Sequence, residues 1–89
     1  MKAVITVTGK DCVGIIAKVS ALCADHKANI TEITQSVLSE YFAMIMLAEI
    51  DGLDIPFADF ADRLAKLGRD SGLDARAMHE DIFNSMHHV

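Results

Sequence analysis

The chain has 89 residues, a length that suffices for one small hydrophobic core and excludes two separate ones. Hydrophobic residues make up 52% of it and charged residues 24%, with five glycines and one proline, a balance that indicates a packed globular domain and excludes a disordered or fibrous chain. Eight Lys and Arg residues against thirteen Asp and Glu give a formal net charge of −5, and the basic residues are scattered, so nucleic acid is not expected as a partner.

The two cysteines, Cys12 and Cys23, are predicted to be free thiols, because their spacing fits neither a C-x-x-C motif nor a zinc pattern. The longest apolar run, residues 41–48, is too short to cross a bilayer. The first residues lack the apolar stretch and the cleavage site of a secretory signal. We therefore expect a cytoplasmic location and no membrane partner.

A strand followed by a helix is predicted for the first third of the chain. Residues 2–8 alternate β-branched side chains with small ones, which is typical of a strand. Gly9 and Gly14 interrupt the alternation, and a helix is predicted from Gly14 to Lys27. Lys27 and the neighbouring His26 are interpreted as partners of the dipole at its C-terminal end. Its predicted inward face consists of Ile16, Val19, Ser20 and Cys23.

Two further strands are predicted next, over residues 29–37 and 41–50, with a turn at residues 39–40 between them. The second of these is apolar on both faces: Phe42, Met44 and Met46 point one way, and Ala43, Ile45 and Leu47 the other. A strand of this kind is expected at the centre of a sheet that is covered on both faces.

The remaining residues predict a second helix, a fourth strand and a short helical segment. Apolar residues recur at helical spacing over residues 57–67 and fade at residues 68–72. Residues 73–78 alternate, and residues 80–86 fit one or two helical turns. The predicted order β-α-β-β-α-β is the ferredoxin-like α+β sandwich, a four-stranded antiparallel sheet with two helices on one face, here with a short C-terminal helical segment.

Two helices on one side of the sheet leave the other side of the apolar third strand without cover. Exposed apolar patches of that size are rare on monomers. We therefore expect a second copy of the chain, the C-terminal segment, or both to cover this face, and a homodimer is the default expectation.

The segment G-K-D-C-V-G-I-I-A-K-V-S, residues 9–20, followed by Asn29-Ile30, resembles the ACT domain family of amino-acid-sensing modules. Its G-x-D-x-x-G loop, the V-S pair and the N-I strand opening match that family, and Val13 stands where proline is usual. The resemblance implies one ACT domain over residues 1–89, with its core in 2–78 and a C-terminal extension in 79–89. The tail is similar to those of free-standing single-ACT proteins of the UPF0237 type and of the glycine cleavage system transcriptional repressor.

The resemblance implies a non-catalytic regulatory protein that binds a small ligand such as an amino acid, together with a regulated partner protein that the sequence does not identify. Family members commonly place this loop at a domain–domain interface, so a ligand there would bridge two subunits. The first amides of the following helix favour an α-carboxylate, Asp11 suits the ammonium group, and Asn29 offers a donor and an acceptor. The candidate ligand-binding residues are Gly9, Asp11, Cys12, Val13, Gly14, Ile15, Asn29 and Ile30.

Two alternatives to ligand sensing stay open at this point. The loop is also readable as a plain strand-to-helix connection, in which Asp11 caps the helix and the glycines form the bend. Alternatively, the chain is an interaction and dimerisation subunit with an empty loop, which docks on an enzyme or a transcription factor through its sheet face or its C-terminal segment.

The sequence gives no sign of catalysis, a metal or a cofactor. Cys12 has no histidine near it in the chain to act as a base. The residues His79, His87 and His88, with the two acids after His79, match no metal-ligand spacing. Gly9 and Gly14 lack the Lys and hydroxyl residues that follow the glycines of a phosphate-binding loop. An acylphosphatase would need an arginine in this loop, and the loop has none. An RNA-binding sheet would need exposed aromatic residues flanked by basic ones, which the central strands lack.

Overall fold

The computed structural model describes residues 1–10 and 14–86 and confirms the predicted fold class. The elements are β1 (Lys2–Gly9), α1 (Ile15–Asp25), β2 (Asn29–Leu38), β3 (Tyr41–Glu49), α2 (Phe57–Asp70), β4 (Asp74–His79) and α3 (Glu80–Met86). None of the helices within the described ranges is long and apolar enough to span a membrane. The cytoplasmic location stays a prediction.

The four strands form one antiparallel sheet in the order β2-β3-β1-β4, so the apolar third strand lies at the centre, as predicted. Strands β2 and β4 are the two edges. At one end of the sheet Gly9 of β1 pairs with Phe42 of β3. At the other end Glu49 of β3 lies opposite both Lys2 and Asn29. The β1–α1 connection therefore leaves the sheet at the end opposite to the start of β2.

The hydrophobic core lies between one face of the sheet, called here the inner face, and helices α1 and α2. Strand β3 alternates as predicted, with Phe42, Met44 and Met46 buried on the inner face. The predicted inward face of α1 needs correction, because its buried residues are Ile15, Val19 and Cys23, which are spaced four apart. Ile16 only packs against the margin of the core. The buried stripe starts one residue earlier than predicted, so Ile16 and Ser20 lie at its edge and are only partly buried.

The C-terminal end of α1 also differs from the sequence prediction. The helix ends at Asp25, and Lys27 follows it with a positive φ of 63°, so Lys27 is not in the last turn. His26 is the C-cap residue, and its backbone carbonyl accepts a hydrogen bond from the Asp54 amide at 3.3 Å. The left-handed backbone conformation of Lys27 allows the chain to change direction after the helix.

Helix α2 continues to Asp70, beyond the glycine at which the apolar pattern fades. Gly68 is buried against strand β4, and a Cβ atom added to it would lie 2.7 Å from the Cβ of Ala75 and 2.9 Å from its amide nitrogen. Gly68 thus lets the helix backbone approach the strand closely. The amide of Leu73 also donates to the Gly68 carbonyl at 2.8 Å, which ties the helix end to the start of β4.

The opposite side of the sheet, called here the outer face, is partly covered by α3. Val4 points to this face and is only 1% exposed, and Phe83 of α3 lines the same small cavity as Val4, Ile45 and Leu47. The C-terminal segment thus provides part of the predicted cover. Ile45 remains 42% exposed, so α3 does not cover the whole outer face.

Cys23 is a free thiol in the core, and burial raises its pKa to about 11. We expect the thiol of a Cys12→Ser variant to resist Ellman's reagent at pH 8 in the folded protein and to react fully in guanidinium chloride. The pKa of this thiol is higher in the folded protein than its value of 9.0 in the unfolded chain. Its full contribution to the free energy of unfolding is therefore present below pH 9, and that contribution is lost as the pH rises toward 11. Rapid reaction of the folded variant would contradict this burial.

Candidate functional site

The connection between β1 and α1 is the predicted ligand loop, and the structure describes both of its ends. Asp11, Cys12 and Val13 lie outside the described residues. Gly14 precedes the helix with φ 74° and ψ 0°, a left-handed conformation that glycine adopts without strain. Ile15 then begins the helix with its side chain in the core, 1% exposed. Only the backbone of Ile15 is therefore available to a ligand.

Helix α1 has Gly14 at its N-cap position, and a glycine has no side chain with which to cap the helix. The capping role that the alternative assigns to Asp11 falls outside the described residues. The first turn contains no acidic residue, and the Gly14 carbonyl accepts the first described helical bond, from the Lys18 amide at 3.1 Å. Within the described residues, the positive end of this helix thus has no carboxylate of its own, and an anion is favoured there.

Gly9, the other glycine of the loop, has a packing role of its own. It is the last residue of β1, and a Cβ atom added to it would collide with the side chain of Leu73. Leu73 is buried, so the contact belongs to the core. The absence of a side chain at Gly9 is thus explained by packing, whereas the left-handed backbone explains Gly14.

A cavity of about 490 Å³ lies at the loop end of the sheet and was not predicted from the sequence. It is lined by Thr8, Gly9, Ser36, Tyr41, Phe42 and Ala43. Nearby, the Nζ atom of Lys10 lies 3.6 Å from a carboxylate oxygen of Glu40 and 5.5 Å from the centre of the Tyr41 ring. The predicted turn at residues 39–40 could have indicated its position, because that turn places the end of β2 and the start of β3 at this end of the sheet.

The two candidate residues on β2, Asn29 and Ile30, lie at the far end of the sheet. Asn29 pairs with Glu49, whereas Gly9 pairs with Phe42, seven residues away on β3. At about 3.3 Å per residue this separation is roughly 23 Å. One chain therefore does not bring Asn29 to its own loop. Asn29 is exposed there, and Ile30 packs against the core margin.

His26 connects the end of α1 to the β3–α2 connection and to α2, at the end of the molecule away from the loop. Its Nδ1 atom lies 2.9 Å from Oδ1 of Asp54, and its Nε2 atom lies 3.2 Å from Nη1 of Arg63. A guanidinium only donates, so Nε2 accepts and Nδ1 donates its hydrogen to the carboxylate. The ring also meets Phe60 edge-on, with centroids 6.4 Å apart. This arrangement holds the end of α1 against α2.

The histidines of the tail do not gather into a described metal centre. The ring of His79 lies against that of Phe57, with 4.3 Å between centroids. His87 and His88 lie outside the described residues. Across residues 1–10 and 14–86, no group of three or more His, Cys, Asp or Glu side chains is arranged to hold a metal ion.

The split β-α-β fold, with a glycine-bounded loop that leads from the first strand into a helix with Gly14 at its N-cap, defines a small ferredoxin-like domain of the kind that the sequence resembles. The chain belongs to the ACT domain family, whose sequence pattern matches residues 2–79. It is 41% identical over 88 residues to UPF0237 protein MK1213 of Methanopyrus kandleri, which covers 99% of this chain and 98% of that protein. It is 45% identical to UPF0237 protein CA_C0478 of Clostridium acetobutylicum over the full length of both.

Solved structures agree with this assignment. An ACT domain protein from Streptococcus pneumoniae superimposes with a TM-score of 0.81 and is 36% identical, and the match covers 98% of each chain. A protein described as a glycine cleavage system transcriptional repressor shares the fold with a TM-score of 0.76 at 12% identity, and the match covers 86% of this chain and 45% of that one. The predicted family resemblance is thereby confirmed.

Proposed function

We propose that this chain is a non-catalytic regulatory protein that binds an amino acid at the β1–α1 loop and acts as a homodimer. The observation that carries the proposal is the start of α1, where a left-handed Gly14 opens a helix that has no acidic residue in its first turn. Membership in the ACT domain family supports the same assignment.

The proposed ligand contacts follow from the chemistry of an amino acid. Its α-carboxylate would accept hydrogen bonds from the first amides of α1, where the helix dipole favours negative charge. Asp11, three residues before Gly14, would accept from the ammonium group. Cys12 and Val13 would contribute backbone, as would Gly9. The ligand would thus be recognised by the two charged groups that all amino acids share.

Asn29 and Ile30 would join the site only through a second copy. Strand β2 is an edge of the sheet, and its far end at Leu38 pairs with Tyr41, at the same end as the loop. Antiparallel pairing of β2 with the β2 of a second copy, about a two-fold axis, would reverse the direction of the partner strand. The partner's Asn29 would then lie at the loop end of this chain.

The edge of β2 has the properties that such pairing requires. The strand is ten residues long, and residues 31–37 are all exposed. Ile33 and Val37 pair with the inner-face residues Met46 and Phe42 of β3, yet they are 43% and 70% exposed. The strand carries neither lysine nor proline, the residues that commonly protect edges, and Glu32 is its only charged side chain. Pairing would bury this unprotected edge.

Regulation would follow from linkage. A ligand held between two copies favours the paired state, and it can shift the population only by its difference in affinity for the two states. An amino acid at 100 times its dissociation constant would add about 2.7 kcal/mol to the stability of the binding-competent form. A thermal-shift series with the twenty amino acids would therefore identify the ligand.

We expect Asp11→Ala and Asn29→Ala each to weaken binding of that amino acid about tenfold in calorimetry, which is the loss of one charge-assisted hydrogen bond. An equimolar mixture of the two variants should regain tight binding in about a quarter of its sites, because mixed dimers contain one intact pair of residues. Asp62→Ala, an exposed acid on α2 that lies outside the loop and the β2 edge, serves as the matched control.

Two results would contradict the proposal. If no amino acid stabilises or binds the unmodified protein at millimolar concentration, the ligand-sensing function is wrong and the interaction-subunit alternative replaces it. If the mixture regains no sites although subunits exchange, Asn29 does not act across the interface.

A further inference from the structure

A groove between α1 and α2 lies on the helical side of the molecule, away from the sheet. Its volume is about 410 Å³, and it is open to solvent along its outer side. Leu22 of α1 and Leu67 of α2 form an apolar floor, and both are only partly buried by the core beneath them. The groove therefore presents apolar surface that the fold itself does not cover.

The rims of this groove are basic on a protein that is acidic. Lys18 lies on the α1 side, Arg63 and Lys66 lie on the α2 side, and Asp70 is the only lining acid. The local balance is 3 − 1 = +2, against −5 for the whole chain. Positive charge concentrated on both sides of an apolar floor is complementary to an acidic, amphipathic partner.

Two of the three cations have no carboxylate partner among the described residues. Lys66 pairs with Asp70 at 2.7 Å, a contact that lowers the pKa of that carboxyl. Lys18 is not among the described ion pairs, and the described polar contact of Arg63 is to the ring of His26 and not to a carboxylate. Both of these cations are thus available to carboxylates from another molecule.

The shape of the groove favours a helix over a small molecule. From Arg63 to Asp70 it follows two turns of α2, about 10 Å at 1.5 Å per residue. A small ligand generally buries 70–90% of its surface, roughly what a closed pocket provides and an open groove does not. A helix with apolar residues at i and i+4 would cover the leucine floor and place flanking acids against the rims.

We infer that the groove between α1 and α2 binds an acidic amphipathic helix of a partner protein. The inference goes beyond amino-acid binding and does not rest on it, because no residue of the groove belongs to the loop or to the β2 edge. Binding in the groove would give the protein a surface through which it contacts the protein that it regulates.

A fluorescent synthetic peptide tests this inference on the full-length chain. The peptide is helical, with leucines at i, i+4 and i+7 and glutamates on both flanks. We expect saturable binding in fluorescence anisotropy that weakens with added salt, and chemical-shift changes centred on Leu22 and Leu67. Lys18→Glu should weaken binding about tenfold, because one attractive pair becomes a repulsive one.

Arg76→Glu is the matched control. Arg76 lies on β4 opposite Thr6, on the outer face of the sheet, and its reversal changes the net charge by the same amount, so it should weaken binding less than twofold, roughly the effect of a distant charge. A peptide with serine in place of the leucines should not bind.

Equal losses for Lys18→Glu and Arg76→Glu would overturn the inference, since binding would then reflect overall charge alone. Absence of saturable binding would overturn it as well. Self-association of the chain that Lys18→Glu abolishes would assign the groove to a second copy instead. Each of these readouts is independent of whether an amino acid binds at the loop.

Discussion

Replacement of Gly68 by alanine is expected to lower the free energy of unfolding by about 1–3 kcal/mol, as overpacking does in other tightly packed sites. Alanine in a helix interior would otherwise stabilise the protein by about 1 kcal/mol relative to glycine. The sign reverses here because the new methyl group would lie 2.9 Å from the backbone nitrogen of Ala75. Strand β4 cannot yield without breaking its pairing with β1. Urea denaturation followed by circular dichroism measures the difference.

Gly52→Ala provides the comparison for this substitution. Gly52 is exposed and its φ is not positive. A Cβ atom added to it would have the carbonyl oxygen of Lys27 as its nearest neighbour, 3.4 Å away. We expect its stability to change by less than about 0.5 kcal/mol, as for an ordinary surface position. A Gly68→Ala variant as stable as Gly52→Ala would show that α2 and β4 are not in the close contact described.

Removal of residues 80–89 is expected to lower stability by about 2–3 kcal/mol, the value for exposing a large buried apolar side chain together with its neighbours. Val4 would lose the cover that α3 provides on the outer face, and Leu47 and Ile45 would become more exposed. The truncated chain should also associate more strongly than the full chain, because its apolar outer face is larger. Urea denaturation and light scattering measure the two effects.

Ile82→Ala is the control for this truncation, because it alters α3 without removing the helix from the outer face. The Ile82 side chain is 53% exposed, so its removal should change stability by less than about 1 kcal/mol, which is small beside the loss of a buried residue. If the truncated protein is as stable as the full chain and no more associated, α3 does not protect the outer face.

Strand alternation made most of the fold predictable. The opposite faces of β3 follow directly from the two-residue period, and the α3 segment was predicted over the same residues that the structure shows. Helix α2 extended further than predicted because Gly68, which normally weakens a helix, is required by its contact with Ala75. That contact is between a residue of α2 and a residue of β4, so the periodicity of the helix sequence does not predict it.

The candidate site was only partly predictable for a similar reason. The candidate loop residues adjoin one another in the chain, so the G-x-D-x-x-G motif is sufficient to group them, and the structure describes Gly9, Gly14 and Ile15 among them. The position of Asn29 depends on strand register, which a motif does not encode. Strand β2 starts at the end of the sheet where β1 also starts, and the loop follows the other end of β1. The groove escaped prediction because Lys18 and Arg63 meet only through the packing of α1 on α2.

Helix α1 has one more consequence, because it reaches both proposed binding sites. Its first residue follows Gly14 at the loop, and Leu22 faces the groove two turns further on, about 10 Å away along the helix axis. Since a short helix moves as a rigid body, tilting it to close on a ligand would also change the width of the groove. If amino-acid binding alters the affinity for the partner helix by some factor, that helix must alter the affinity for the amino acid by the same factor. The regulated protein would then tune the sensitivity of its own sensor.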